Sequence, residues 1–165
     1  MKFQNNIVLI GMPGCGKTSL GLLIAERLQL DFYDIDQYIE KKENKKISEI
    51  FLLGESHFRK IETEAIREVS LKKPVVIATG GGAVTRSENI EHLQQGGTIF
   101  YINRSLENII ASADLSTRPL LADNVKRIYN LYEVRKPLYE TQCHYEIAND
   151  HSLELAAEKI LKIII

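Results

Sequence analysis

Cysteine is scarce in this sequence and badly placed for pairing. Cys15 and Cys143 lie far apart, form no C-x-x-C pair, and are joined by only four histidines without metal-ligand spacing, so a reduced, cytoplasmic compartment is the expectation. No sign of charge prevails either. Twenty-one lysines and arginines face 22 aspartates and glutamates, a formal net charge of −1, which leaves no broad basic field to hold nucleic acid or an anionic membrane. Any cation that matters must be placed locally. Long apolar runs are also missing. Residues 1–6 are polar, Ile7 to Ile10 stop at a glycine, and Ile163-Ile164-Ile165 is shorter still, so neither a signal peptide nor a membrane span is expected. With no internal repeat, low-complexity tract or linker, the 165 residues are expected to form a single domain, 1–165, with a sizeable core.

Against these absences stands Gly11-Met12-Pro13-Gly14-Cys15-Gly16-Lys17-Thr18, which fits the phosphate-binding pattern G-x-x-x-x-G-K-[ST]. Glycines let backbone N–H groups turn inward around a polyanion, and the helix that follows offers its unpaired N–H groups and positive dipole end. Lys17 supplies a mobile cation for the outer phosphates, and Thr18 a hydroxyl for Mg²⁺. A glycine-rich turn with an accidental Lys-Thr is the bland alternative. The buried-strand pattern before the loop and the amphipathic pattern after it favour a nucleotide site made by Gly11 to Thr18 and Ser19, for a nucleoside triphosphate with magnesium.

The rest of the chain alternates short apolar runs with helical segments, which predicts an α/β fold, a parallel sheet with helices on both faces. Strands are expected at 6–10, 31–34, 75–78, 98–102 and 145–148. Helices are expected at 17–28, 37–42, 47–53, 55–70, 87–95, from Leu106 through Ile110, at 124–139 with an interruption at Pro137, and at 153–164. In the first helix Leu20, Leu23, Ile24 and Leu28 mark the apolar face. The helical stretch between the second and third strands exceeds what a crossover needs, so a substrate-specific region, about 37–70, could sit there. The polar segment from Ser112 to Pro119 reads as an exposed loop of the kind that closes over ligands.

Ligands of such sheets gather at the carboxyl ends of the strands, and three polar clusters fall there. Besides the phosphate loop, these are Asp34 and Asp36 after the second strand and Thr79-Gly80-Gly81-Gly82 after the third. The two aspartates could be surface charges or caps, Asp36 standing at the N-cap position of the following helix. Alternatively, one orders Mg²⁺ waters and the other accepts a hydrogen bond from a hydroxyl to be phosphorylated. The glycines could simply turn the chain, or bring backbone N–H groups close to a ligand. Arg59, Arg118 and Arg135 stand apart from the other arginines by context alone.

On six motifs the chain resembles the shikimate kinase family along nearly its whole length: Gly11 to Thr18, Asp34-Ile35-Asp36, Phe58-Arg59-Lys60-Ile61-Glu62, Thr79 to Val84, Arg118-Pro119-Leu120-Leu121, and Arg135-Lys136-Pro137-Leu138-Tyr139. The resemblance implies transfer of the γ-phosphoryl group of ATP to the 3-hydroxyl of shikimate in aromatic amino-acid biosynthesis. It implies a three-layer P-loop kinase fold, with the sheet ordered 2-3-1-4-5 as in nucleoside monophosphate kinases, and a lid at about 112–123. Carried over by position, Asp36 holds and helps deprotonate the hydroxyl, and Asp34 orders magnesium through water. Arg59 and Arg135 clamp the shikimate carboxylate beside Gly80, Gly81 and Gly82, and Arg118 meets the transferring phosphoryl with Lys17. A monomer without nucleic-acid or membrane partners is expected.

Two positions depart from the family pattern. Where an adenine-packing arginine is common the chain has Ile110-Ala111-Ser112, and where an Asp-Thr pair is common it has Ala148-Asn149-Asp150, so no adenine contact is assigned. Cys15 lies beside a helix N-terminus and Lys17, a setting that favours thiolate, although a small filling side chain is the simpler reading. Cys143 reads as inert filling. A kinase of another hydroxy-acid, such as gluconate, is the alternative enzyme. A GTP switch would need N/T-K-x-D, and Asn44-Lys45-Lys46-Ile47 lacks the aspartate.

Overall fold

The computed structural model describes residues 3–112 and 121–165. Its elements run β1 (Asn6–Ile10), α1 (Lys17–Leu28), β2 (Asp31–Asp34), α2 (Ile35–Glu43), α3 (Ile47–Phe51), α4 (Glu55–Ser70), β3 (Val75–Ala78), a 3₁₀ turn (Ala83–Thr85), α5 (Ser87–Gln94), β4 (Gly97–Asn103), α6 (Leu106–Ser112), α7 (Leu121–Gln142), β5 (Tyr145–Ala148) and α8 (Leu153–Ile164). The strands form one five-stranded parallel sheet ordered β2-β3-β1-β4-β5. Unbroken apolar runs suit strands covered on both faces, and every residue of β1 and β3 is buried. The edge strands β2 and β5 are only four residues long and partly exposed, which limits the unpaired backbone they present.

Connection handedness then distributes the helices. From β1 the chain crosses leftward to β2, and from β3 it crosses rightward to β4. Right-handed crossovers in opposite directions put α1 and α5 on opposite faces of the sheet. The buried stripe of α1 is Leu20, Gly21, Ile24 and Ala25, whereas Leu23 and Leu28 are only half-buried. The stripe is rotated from the leucine pattern because Gly21 lies against the Phe32 ring, which a methyl group there would strike.

Element ends differ from the sequence pattern where side chains intervene. Asp34, not Asp36, caps α2: its Oδ1 accepts the Gln37 N–H at 3.1 Å, the helix begins at Ile35, and Asp36 falls in the first turn. Helix α7 runs on through Pro137 to Gln142. Tyr139, fully buried, stacks on Tyr101 with ring centroids 5.1 Å apart, and that packing holds the last turns in place. Helix α3 ends at Phe51, short of the expected Leu53. Among the described residues no helix is long and apolar enough to cross a membrane.

Buried Asn6 joins three elements below the site. Its Nδ2 donates to Ser70 O at 2.8 Å and its Oδ1 accepts the Val75 N–H at 3.0 Å. Asn6→Ala should therefore destabilise the fold by about 2 to 3 kcal/mol, since two buried backbone groups lose their partners. Urea denaturation would measure this, with the KM values of the folded variant unchanged.

Candidate active site

The turn after β1 is shaped by its glycines. Gly14 and Gly16 adopt φ of 82° and 98°, which residues with a Cβ rarely enter. Lys17 is buried and curls back over the turn, donating from Nζ to Gly11 O at 2.8 Å and to Met12 O at 2.9 Å. Thr18 donates from Oγ1 to Asp34 Oδ2 at 2.8 Å, so the hydroxyl and the first carboxylate of the D-x-D pair already share one spot. Those are hard oxygen donors of the type Mg²⁺ takes. Among the described residues no group of three His, Cys, Asp or Glu could hold a metal by itself, so this pair would need oxygens from a nucleotide or water. Cys15 is 0 % exposed and sits under Gly11, where a Cβ would lie 2.8 Å from its Sγ. The small-filler reading of Cys15 fits this position.

Asp36 meets a second acid that sequence reasoning passed over. Glu62 is 0 % exposed, with Oε1 accepting from Arg59 Nη1 at 2.9 Å and Oε2 without a hydrogen-bond partner among the described residues. A methyl group on Gly80 would stand 3.0 Å from Glu62 Oε2 and 3.2 Å from Asp36 Oδ1, so both carboxyls converge on the first glycine after Thr79. Burial pushes the Asp36 carboxyl above the ordinary aspartate range and the Asp34 carboxylate adds to the rise, while Lys17 and Arg59 oppose it. Burial raises Glu62 as well, against the pull of Arg59 and Arg135. Glu62 stands inside the Arg59 motif, as an acid three residues after that arginine on one helix face, but was given no role.

The next two glycines serve the arginines. On Gly82 a methyl group would lie 2.7 Å from Arg59 Cζ, and on Gly81 3.2 Å from Arg135 Nη1. Arg59 is carried by α4, Arg135 by α7 and the glycines by the turn after β3, so three elements bring two guanidinium groups to one stretch of backbone. Tyr139, one helical turn after Arg135, donates its hydroxyl to Gly81 O at 2.6 Å. Its hydroxyl is held far above the usual phenol range, burial being the main cause and Arg135 opposing it. This clamp was not foreseen, although Tyr139 stands inside the Arg135 motif.

Lys17, Asp34, Asp36, Arg59, Gly80, Gly81, Gly82 and Arg135 thus come together at the carboxyl edge of the sheet. Arg118 and most of the expected lid lie outside the described residues. An apolar cleft of about 940 Å³ between Phe3, Leu28, Pro74 and Ile164 lies at the opposite edge and carries none of these groups.

A phosphate loop after the central strand of a 2-3-1-4-5 sheet, with paired acids and arginines facing it, defines a P-loop phosphotransferase. Comparison with known proteins narrows the class. The family model described as shikimate kinase matches residues 13–165. A shikimate kinase of Clostridium botulinum (strain Alaska E43 / Type E3) is 47% identical over 162 residues, covering 98% of each chain. The structure of shikimate kinase from Acinetobacter baumannii in complex with shikimate superposes with a TM-score of 0.91 at 36% identity, covering 99% of this chain and 94% of that one. A gluconokinase from Sinorhizobium meliloti shares the fold at 17% identity and a TM-score of 0.65, covering 99% and 95%. The chain belongs to the shikimate kinase family, and is an ATP-dependent phosphotransferase.

The raised Asp36 carboxyl has a consequence for stability. Folding favours its protonated form, so its contribution is most favourable below the ordinary aspartate range and is lost as pH rises through the raised value. At neutral pH Asp36→Asn should melt at a higher temperature than the unaltered protein, and the gap should close in acid. Thermal melts at the two pH values check this; a lower melting temperature at neutral pH would contradict it.

Proposed function

We propose that this chain transfers the γ-phosphoryl group of ATP to the 3-hydroxyl of shikimate, giving shikimate 3-phosphate, as a cytoplasmic monomer of one domain. The observation that carries the reading is the meeting of Asp36, Arg59 and Arg135 around Gly80 to Gly82, beside the phosphate loop and Lys17. One side of that meeting suits a polyphosphate and the other an alcohol bearing a carboxylate.

Gly11 to Ser19 bind the phosphates through backbone N–H groups and the helix end, and Lys17 exchanges its carbonyl partners for phosphate oxygens. Thr18 and Asp34 are the residues that would hold magnesium, which supplies charge neutralisation on the phosphates when bound. Asp36 accepts the proton of the substrate hydroxyl as its oxygen bonds to the γ-phosphorus and the bond from that phosphorus to the β-γ bridging oxygen breaks. A carboxylate whose pKa is raised is the better base for this step. Arg59 and Arg135 take the substrate carboxylate, for which a planar guanidinium fork is better matched than an ammonium. Glu62 orients Arg59. Arg118 belongs with the transferring phosphoryl by its place in the family motif, and the region about 37–70 with substrate.

Family membership and the shikimate complex of the Acinetobacter relative favour shikimate over gluconate, whose kinase shares only the fold. A coupled assay of ADP production with ATP, Mg²⁺ and either shikimate or gluconate tests the choice; turnover with gluconate alone would overturn it. Arg135→Lys should weaken use of shikimate by about 1.5 to 3 kcal/mol, roughly tenfold to somewhat above a hundredfold in kcat/KM, and an unchanged kcat and KM would remove Arg135 from the site. The acidic limb of the kcat/KM profile for shikimate should report a group titrating above the ordinary aspartate range, as the direction of the Asp36 shift requires; a limb within that range would exclude Asp36 as the base.

A further inference from the structure

The phosphate loop follows the central strand, so the tips of β2 and β3 flank it on one side and those of β4 and β5 on the other. Among the described residues, those just past β4 and β5 include none of the acids, arginines or lysine of the site, yet they grip the loop twice. Asn149, one residue past β5, is fixed by its own backbone N–H, which donates to Asn103 O at 2.9 Å. Its side chain is 9 % exposed and donates from Nδ2 to Cys15 O at 2.8 Å. Arg104, one residue past β4, donates from Nη1 to Gly14 O at 3.0 Å and to Ser112 Oγ, at the end of α6, also at 3.0 Å.

Two successive loop carbonyls are thereby held from behind, and the geometry of the peptide carries the consequence. In a planar trans peptide the C=O and the following N–H point in opposite directions. Holding Gly14 O turns the Cys15 N–H onto Met12 O, which it meets at 3.1 Å. Holding Cys15 O turns the Gly16 N–H away from Asn149, to the loop's inner side, where it has no acceptor among the described residues. Gly16 and Asn149 are fitted to each other, since a Cβ on Gly16 would stand 2.7 Å from Asn149 Nδ2.

We propose that Asn149 and Arg104 are positioning residues for the nucleotide: their side chains brace the phosphate loop from the β4–β5 side and fix the Gly16 N–H in the direction that meets a phosphate oxygen. This rests on the reading of the loop as the ATP site. Neither residue touches the reacting atoms, and neither contributes to the shikimate half of the site.

Asn149→Asp tests the brace, because it keeps the size of the side chain, removes the donor and sets a carboxylate against Cys15 O. Steady-state kinetics should show the KM for ATP raised by about tenfold or more, the KM for shikimate within about twofold of the unaltered protein, and Arg104→Gln shifted the same way by less. Shikimate binding without nucleotide, followed by calorimetry, reports that each variant is folded. An Asn149→Asp protein that binds shikimate normally and keeps its KM for ATP overturns the proposal. So does equal loss of ATP and shikimate affinity, which would mark a merely structural residue. If the unaltered protein makes no ADP in response to shikimate, the functional reading fails and the brace falls with it.

Discussion

Parallel pairing brings Leu9, Ala78 and Asp34 to one height: Leu9 registers with Ala78, and Ala78 with Asp34. Thr79 then ties the strand tips together, donating from its backbone N–H at 3.1 Å and its hydroxyl at 3.0 Å to Leu9 O. Because all strands point the same way, each chain leaves the sheet at that edge, and the three turns that follow must share the space above it. The phosphate loop, the D-x-D pair and the triple glycine therefore face each other without any loop reaching across the molecule. The spacing of the site is a property of the ladder.

That arrangement concentrates charge in a poorly solvated place. Asp36 and Glu62 are both pushed toward their neutral forms by burial, and Arg59 relieves Glu62 through a hydrogen bond while approaching Gly82. Removing one partner of a buried ion pair leaves an uncompensated charge, so the acids and arginines of this edge constrain one another. The same crowding favours glycine at positions 80 to 82: a methyl group would press on the two carboxylates at Gly80, strike Pro13 of the phosphate loop at Gly81 and strike the Arg59 guanidinium at Gly82. A site of this kind trades stability for a base and two anchors held ready.

The sheet and its helices were legible because their signals are local. Buried parallel strands read as apolar runs, and β1, β2, β3 and β5 and the helices α1, α4 and α8 lie at their expected bounds. What was missed depends on contacts between distant segments. Asp36 reads as standing at the N-cap because it precedes a helical pattern, whatever else it does, but Asp34 has the Gln37 N–H within reach while its other oxygen takes Thr18. The expected face of α1 packs on the core, but its centre includes Gly21, a residue with no hydrophobic signal of its own that the ring of Phe32 lies against. Glu62, Tyr139 and Asn149 look like ordinary polar or aromatic positions until the fold sets them against Gly80, Gly81 and Cys15.

Lys17 has partners of its own within the phosphate loop. Its ammonium donates to Gly11 O and Met12 O, two carbonyls of the same turn, so the loop's own backbone can hold its cation. Entry of a nucleotide is then a swap of partners rather than the making of new ones, which keeps the net gain small. Such a loop can capture a triphosphate and still let the spent diphosphate go, because the lysine has a resting place to return to.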